Sequence, residues 1–441
     1  MSRREIAEQI FLAGVESVLP DKLISENMSL KGDLLHIGHL KISLETTENI
    51  YVIGAGKASA IMASEVEKIL GNSITKGHII VKYGHGTELK SIRVSEAGHP
   101  FPDTNGFEAT KSVLEIARKA EANDLVICLL SGGGSSLLCD CPEELTPDDL
   151  TLVNKLLVNC GASISEMNAV RKHLSDVKGG RLAGTVFPAT LVSLILSDVI
   201  GDRLDVIASG PTAPDPTTFT DAIEVLEKFK LKQSLPSRVL DFLYAGATCK
   251  KPETPKPGDA VFEKTTNLII GTNRIALESA REKAQEHNIN AIIIEDELQG
   301  DVNSVSEYLI ESALNFRSDK NEVKPVCILF GGETTLKMTG KGSGGRNQHL
   351  ALLCAIQLQD KPGITILCAG TDGNDGPTKA AGAIVDSETI PFAISRGIKP
   401  EKFLVNFDSY NFFRKTSGHL ITGPTMTNVM DIVAIIVDDQ K

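Results

Sequence analysis

The chain has 441 residues, 41% hydrophobic and 23% charged, an ordinary globular balance that exceeds what one core usually supports and predicts two or three domains. A formal charge of −12 repels nucleic acid and anionic membrane surfaces, so neither is an expected partner, and a basic cluster has to be a specific site or a solvated face. No apolar run is long enough to span a bilayer, and the eight scattered cysteines, with Cys139 and Cys141 the only close pair, suit reduced thiols in a cytoplasm better than a zinc site.

In chain order, Ile6, Ile10, Phe11 and Val15 recur at helical spacing and predict an N-terminal helix in place of an apolar signal core. Residues 34–44 alternate around Gly38, which predicts a β-hairpin covering the start of a sheet. Residues 50–59 then read as a strand, a glycine turn through Gly54 and Gly56, and the start of an amphipathic helix, with Lys57 beside that start. The dinucleotide fingerprint is incomplete: Ser59 stands where the third glycine belongs, and the next strand, 78–81, ends at Lys82 and Tyr83 with no acid for a ribose hydroxyl. A Walker A pattern is absent as well.

The turn-rich segment 95–106 leads into a helix over 107–120, and His99, which precedes a proline, reads as a structural turn residue more readily than as a ligand contact. Residues 125–130 form an apolar strand that breaks into Ser131-Gly132-Gly133-Gly134-Ser135-Ser136. Three glycines let a backbone approach a phosphate or carboxylate, with Ser135 and Ser136 expected to cap a following helix; a tight turn that binds nothing explains the same residues. Ser163 and Glu166 have capping-box spacing, and the helix they open puts Asn168, Arg171, Lys172 and Ser175 on one face, a stripe that Lys178 extends. Taken alone, such a stripe reads as a solvated face.

Residues 191–196 make another buried strand with Asp198 and Asp202 at its C-terminal end, where ligands of open α/β sheets bind. The Pro- and Lys-rich run 249–258 predicts the domain boundary, so the expected layout is a domain over 1–248, a linker over 249–265 and a second domain over 266–441, with the first helix allowed to pack on the second. Strands at 267–270, 291–294, 325–330 and 364–369 belong to that second domain. There Gly331-Gly-Glu333-Thr334 ends a strand in glycines, the loop through Gly344 and Gly345 brings Arg346 and Asn347 to a helix, and Asp372 and Asp375 sit at another strand end.

In this order along nearly the whole chain, these motifs resemble those of the glycerate 2-kinases of the MOFRL family, also called type II glycerate kinases. The carriers are Gly54-Ala-Gly-Lys57-Ala-Ser, Ala97-Gly-His-Pro-Phe-Pro-Asp103, Ser131-Gly-Gly-Gly-Ser135 and Asn168-Ala-Val-Arg-Lys-His-Leu-Ser175. Leu196-Ser-Asp-Val-Ile-Gly-Asp202, Ala208-Ser-Gly-Pro-Thr-Ala-Pro-Asp215, Gly342-Ser-Gly-Gly-Arg-Asn-Gln348 and Gly370-Thr-Asp-Gly-Asn-Asp-Gly376 continue them. The resemblance implies two α/β domains, the first Rossmann-like with a mostly parallel sheet, facing each other across a cleft. It implies a kinase that uses ATP and Mg²⁺ to phosphorylate D-glycerate, at the 2-hydroxyl, with Lys57 and Arg346 in the active site. One position departs from the family's pattern: Met426 stands where glycine is usual.

On that resemblance Lys57 is expected to hold the glycerate carboxylate or the transferring phosphate, and Arg346 to clamp a carboxylate or phosphate with its planar fork. Gly54, Gly56, Ser131 to Ser135, Asn168, Arg171, Lys172, Lys178, Gly331, Glu333, Thr334, Gly344, Gly345 and Asn347 are the expected substrate and nucleotide contacts. Asp198, Asp202, Asp372 and Asp375 share the roles of holding Mg²⁺ and accepting the hydroxyl proton, with the division left open. Two other readings stand beside this one: an NAD(P)-dependent hydroxypyruvate reductase, supported only by Gly54-Ala-Gly56, and a catalytically silent nucleotide- or sugar-acid-binding protein. Which hydroxyl is phosphorylated, enantiomer, nucleotide preference and homodimerisation are left open by the sequence itself.

Overall fold

Two runs in which every residue is buried, Ile-Tyr-Val-Ile-Gly-Ala and Leu-Val-Ile-Cys-Leu-Leu, lie side by side as the middle of a sheet covered on both faces, the setting in which parallel strands lose their polar alternation. The structure is a computed structural model that describes residues 1–439. Its first strands, β1 (Met28–Lys31), β2 (Leu34–Ile37) and β3 (Leu40–Ser43), form a small antiparallel sheet that contains the expected hairpin. Then β4 (Ile50–Ala55), β5 (Lys76–Lys82), β6 (Ile92–Ala97), β7 (Leu125–Leu130), β8 (Thr190–Leu196) and β9 (Thr265–Gly271) form a six-stranded sheet in the order β6-β5-β4-β7-β8-β9. The pairs β4–β5, β5–β6, β4–β7 and β7–β8 are parallel. The chain winds outward from β4 in one direction and from β7 in the other, so the sheet is doubly wound and its direction reverses between these two strands.

Between β7 and β8 the chain inserts the helices Pro147–Asn159 and Ile164–His173, and after β8 come Phe219–Lys228 and Ser237–Ala247. Together they close a second core around Leu157, Val170, Leu174, Phe219 and Leu243. Capping boxes start three of the four, Thr146 with Asp149, Ser163 with Glu166 and Thr218 with Asp221, each satisfying N–H groups that a helix start leaves without partners.

A second sheet is built from β10 (Asn290–Asp301), β11 (Val326–Thr335), β12 (Ile364–Gly370), β13 (Gly382–Asp386), β14 (His419–Leu420) and β15 (Asp431–Val437), in the order β10-β11-β15-β12-β13-β14. It is mixed: β10 and β11 run parallel, and the remaining neighbours are antiparallel. The chain divides into two compact units, Pro20–Ile270 and a second made of Met1–Leu19 with the chain from Gly271 onward. The N-terminal helix Arg3–Ser17 belongs to the second: Ile6, Ile10, Phe11 and Val15 are buried, and Arg4 grips Asp386 with two hydrogen bonds of 2.6 and 2.9 Å. Among the described residues no helix is long and apolar enough to cross a membrane.

Several elements differ from the sequence expectation. β9, expected to open the second domain, lies beside β8 in the first sheet. The Pro-rich run expected as a linker folds inside the first unit, where the Asp215 N–H donates to Pro255 O at 2.9 Å and the buried Thr254 hydroxyl donates to Asp215 at 2.9 Å. The junction between units therefore falls at Ile270–Gly271. β6 occupies part of a stretch that reads as turn-rich, and Gly331 and Gly332 do not end β11, which pairs with β15 as far as Gly332 and continues to Thr335 paired with β10. The sequence reading assigns no element to 431–437, yet β15 is wholly buried between β11 and β12; a short continuous apolar run carries no periodicity to mark it as strand.

Met426, the residue in the glycine position, has φ +64°, in the left-handed region where a Cβ crowds the next carbonyl. Met426→Gly relieves that strain, and after the extra flexibility it gives the unfolded chain it should raise stability by on the order of 0.5–1 kcal/mol. Urea unfolding of the two proteins side by side checks this; a less stable glycine variant would mean that the thioether's contacts outweigh the backbone strain.

Candidate active site

The ends of β4 and β7, where the sheet reverses, are fastened to each other. The Lys57 N–H donates to Gly132 O at 2.9 Å, Ser131 N–H to Ala55 O at 3.3 Å, and Ala58 N–H to the Ser131 hydroxyl at 3.0 Å. Ser59 donates to Leu129 O at 3.1 Å and lies 3.2 Å from the Ser131 hydroxyl, so the residue in the place of a third glycine closes this contact with a side chain. A Cβ on Gly56, at φ +147°, would stand 2.1 Å from the Ser131 hydroxyl oxygen. The close approach permitted by Gly54, Gly56 and Ser131 is thus made to the neighbouring strand end.

Lys57, His99 and Asp198 converge on the glycine loop that follows β7. Asp198, just beyond β8, presses its carboxylate on Gly132 so closely that a Cβ there would be 2.1 Å from Oδ2. The place of a Gly133 Cβ lies 2.8 Å from the His99 imidazole and 3.6 Å from Lys57 Cε. Burial, then Lys57, Lys82 and His85, push the His99 pKa down to about 4, so the imidazole beside Lys57 is neutral at neutral pH. A histidine that reads as a turn residue in the sequence therefore belongs to the cluster. Gly134 abuts Ala208, and Asp202 sits in the short turn Ile200–Asp202 with φ +49°.

The helix after the loop, Gly134–Leu137, is a single turn with Gly133 at its N-cap, so Ser135 and Ser136 lie inside it and do not cap it as expected. Ser135 instead joins a chain of polar groups: its hydroxyl is 2.7 Å from that of Ser209, which donates to Asn168 Oδ1 at 3.1 Å. Ser209, a residue of a recognised motif with no role assigned from sequence, links the loop to the helix Ile164–His173.

The basic stripe on that helix is not a solvated face. Lys172 is 2% exposed and paired with Asp215 at 3.1 Å and Asp205 at 3.6 Å, an internal clamp between two acids. Asn168 and Lys178 are buried as well, and Lys178 donates to Leu138 O at 2.7 Å. Arg171 donates to Asn154 Oδ1 at 2.6 Å.

In the second unit Arg346 begins the helix Arg346–Leu358 and holds Asp431 with two bonds, Nε to Oδ2 at 2.6 Å and Nη2 to Oδ1 at 2.9 Å, while Nη1 lies 2.7 Å from Glu333 Oε1. Burial opposes its charge, but Asp431 and Glu333 outweigh burial and raise its pKa further. Asp431, which the sequence reading missed, offered one signal, an acid opening a seven-residue strand of otherwise apolar residues. Arg346 is thus anchored, and truncating it would strand a buried carboxylate.

Asp375, expected to hold metal, is 2% exposed and accepts from Asn347 N–H at 3.1 Å, Gln348 N–H at 2.8 Å and Gln348 Nε2 at 3.0 Å. It caps the helix that carries Arg346, and Gly345 is packed so tightly on it that a Cβ would lie 2.2 Å from Oδ1. Burial raises its pKa to about 6. Asp372 is half-buried, accepts from Asn374 N–H at 3.0 Å, and with Asp431 flanks Gly370. Gly331 lies against Asn273 and Gly344 against Ser409, while Thr334 and Asn347 border, with Asp431, a cavity of about 10 Å³, room for a single water. Among the described residues no three His, Cys, Asp or Glu side chains are grouped to hold a metal ion.

Two family models match the chain: a domain of unknown function, DUF4147, over residues 6–244, and the MOFRL family over residues 326–431. The D-glycerate 2-kinase of Thermotoga maritima is 40% identical over 98% of this chain and 98% of its own length. The crystal structure of a glycerate kinase from the same organism superposes with a TM-score of 0.87 at 38% identity, covering 98% of this chain and 99% of that one. A protein of Agrobacterium vitis named putative hydroxypyruvate reductase is 36% identical over 99% of this chain and 95% of its own length.

The depressed pKa of His99 makes a pH prediction. Between its ordinary value of 6.5 and about 4, the folded state binds fewer protons at His99 than the unfolded state, so the stability it contributes is full above 6.5 and is lost as pH falls to about 4. His99→Gln should remove that share of acid sensitivity. Urea unfolding at about pH 7 and about pH 4.5 measures it; equal losses in variant and wild type would place His99 in solvent.

Proposed function

We propose that this chain, which belongs to the MOFRL-type glycerate 2-kinase family, transfers the terminal phosphoryl group of ATP to D-glycerate at the 2-hydroxyl, giving 2-phospho-D-glycerate and ADP. The observation that carries the reading is the meeting of Lys57 and Asp198 on the Gly132–Gly133 loop, at the reversal point of a doubly wound sheet. Phosphoryl transfer asks a protein for positioning and for charge placed where the transition state needs it, more than for covalent chemistry. Lys57 supplies a positive charge for the phosphoryl oxygens, and Asp198 accepts the proton of the attacking hydroxyl. His99, neutral, offers a hydrogen bond without adding charge. Of the five N–H donors of Arg346, Asp431 takes two and Glu333 one, which leaves two in a fixed direction for a carboxylate or phosphate.

Kinases usually hold Mg²⁺ with one or two carboxylates and nucleotide oxygens rather than an all-protein cage, and the donor set fits that mode. Asp202 at the end of β8 would hold the ion, which when bound draws charge from the phosphates. In the second unit Asp372 is the better candidate, because Asp375 is committed to its helix. A reducing cytoplasm suits the eight cysteines, all of which are free. The reductase name is not carried over: β5 ends at Lys82, where a dinucleotide-binding sheet presents an acid to the ribose.

The purified protein should form ADP only when D-glycerate and Mg²⁺ are both present, with the product identified by phosphorus NMR. NADH oxidation with hydroxypyruvate and no glycerate-dependent ADP would overturn the assignment. Lys57→Ala should cut kcat by about a hundredfold or more, roughly 3 kcal/mol, because a group that stabilises developing charge is lost. Its unfolding midpoint should stay near wild type, since Lys57 is half-buried beside a loop and outside the core. Steady-state kinetics and thermal unfolding of the same preparation read both quantities, and undiminished turnover would remove Lys57 from the mechanism.

A further inference from the structure

Beside the glycine loop lies a cavity of about 360 Å³ within the unit Pro20–Ile270, in the size range of small-ligand sites. Its walls are mostly apolar: Pro100, Pro102 and Phe107 from the segment after β6, and Leu150, Val153 and Leu174 from the inserted helices. Phe101 and Val158, which also line it, are 61% and 56% exposed, a cost in free energy that a planar ligand would recover by covering them. One end is formed by Gly133 and Ser135, the loop beside which Lys57 and His99 lie. Glycerate, a small acid with polar groups on every carbon, would leave such walls unused.

The charges on the lining point the same way. Arg171 and Lys178 both reach the cavity, and neither forms an ion pair among the described residues; their partners are the neutral oxygens of Asn154 and Leu138. Lys172, from the same stripe, shows what folding does with a buried cation that has no ligand to wait for, since it is held between Asp215 and Asp205. The single acid on the lining, Asp140, has its two oxygens occupied by the Ser175 hydroxyl and the Asp176 N–H. Burial lowers the pKa of both Arg171 and Lys178, the direction expected of cations still lacking a counter-charge.

We propose that this cavity takes the nucleoside of the phosphoryl donor, with the base between the proline and leucine walls and the phosphates on Arg171, Lys178 and the Gly133–Ser135 end. The donor nucleotide is then bound by the first unit alone. This rests on the kinase reading above and adds to it the site and orientation of the nucleotide.

The test is calorimetric titration of the full chain with ATP in the absence of glycerate, for wild type, Arg171→Gln, Arg171→Lys and the cavity-filling Leu150→Trp. Arg171→Gln and Leu150→Trp should each weaken ATP binding by about tenfold or more, while Arg171→Lys, which keeps the charge, recovers part of the loss. The KM for glycerate should change by less than about threefold, since the acceptor lies elsewhere. Wild-type ATP affinity in both Arg171→Gln and Leu150→Trp overturns the proposal, and so does a rise in glycerate KM with ATP affinity intact, which would give the cavity to the acceptor. A fold lost in Leu150→Trp leaves the Arg171 pair to decide. Failure of the kinase reading shows separately, as wild type that binds ATP and forms no ADP with glycerate.

Discussion

The candidate site of the first unit depends on one close contact, that between the C-terminal ends of β4 and β7. With φ at +152° and +147° and no Cβ at Gly54 and Gly56, the first strand end lies against the backbone of Leu129 and Ser131. Any side chain at either position would push the strands apart by more than a hydrogen bond can stretch. That contact fixes where Lys57 leaves the sheet and where the Gly132–Gly134 loop turns. Asp198 and His99 then reach the same loop from β8 and from the segment after β6. The geometry is a consequence of strand order, because only at a reversal point do two adjacent parallel strands send their connections to opposite sides.

The second unit uses its polar residues differently. Arg346 stands between two acids, and its helix is started by a third, Asp375, whose carboxylate is buried on the helix N–H groups. A charge held this firmly loses little rotational freedom when it binds an anion, which is how an arginine fork gains over a lysine at a site that needs a fixed direction. Gly344 and Gly345, which read as a flexible loop beside a ligand, owe their lack of side chains to Ser409 and Asp375 pressing on them. Their rigidity serves the arginine.

What the sequence made legible follows from the range of the interactions involved. The strand β7, the capping box of Ser163 with Glu166 and the two glycine turns are set by residues a few positions apart, and they appear where expected. The βα unit that places Lys57 beside a helix start was likewise readable, from an apolar run ending in glycine, whereas the Rossmann-like, mostly parallel sheet was implied by the family resemblance. The partners of buried charges were not: Asp215 lies 43 positions from Lys172, and Asp431 lies 85 from Arg346. A helical stripe of Asn168, Arg171, Lys172 and Ser175 looks solvated until the segments that cover it are in place. β9 was assigned to the wrong sheet for a related reason, since a Pro-rich run resembles a linker whether it hangs free or packs, as Thr254 and Pro255 do, on Asp215.

Asp375 shows how the arrangement is balanced energetically. Its pKa of about 6, against an ordinary 3.8, means that the ionised form present at neutral pH costs the folded state about 3 kcal/mol relative to the protonated form. The stability it contributes is full below about 3.8 and is lost by about 6, the reverse of a salt-bridged carboxylate. Asp431, nearby and also charged, adds to that rise. Two buried carboxylates close to one guanidinium leave the cluster short of positive charge, which opposes an anionic substrate at the same point unless something else carries the balance. The two remaining N–H donors of Arg346 are the groups of this cluster that can do so.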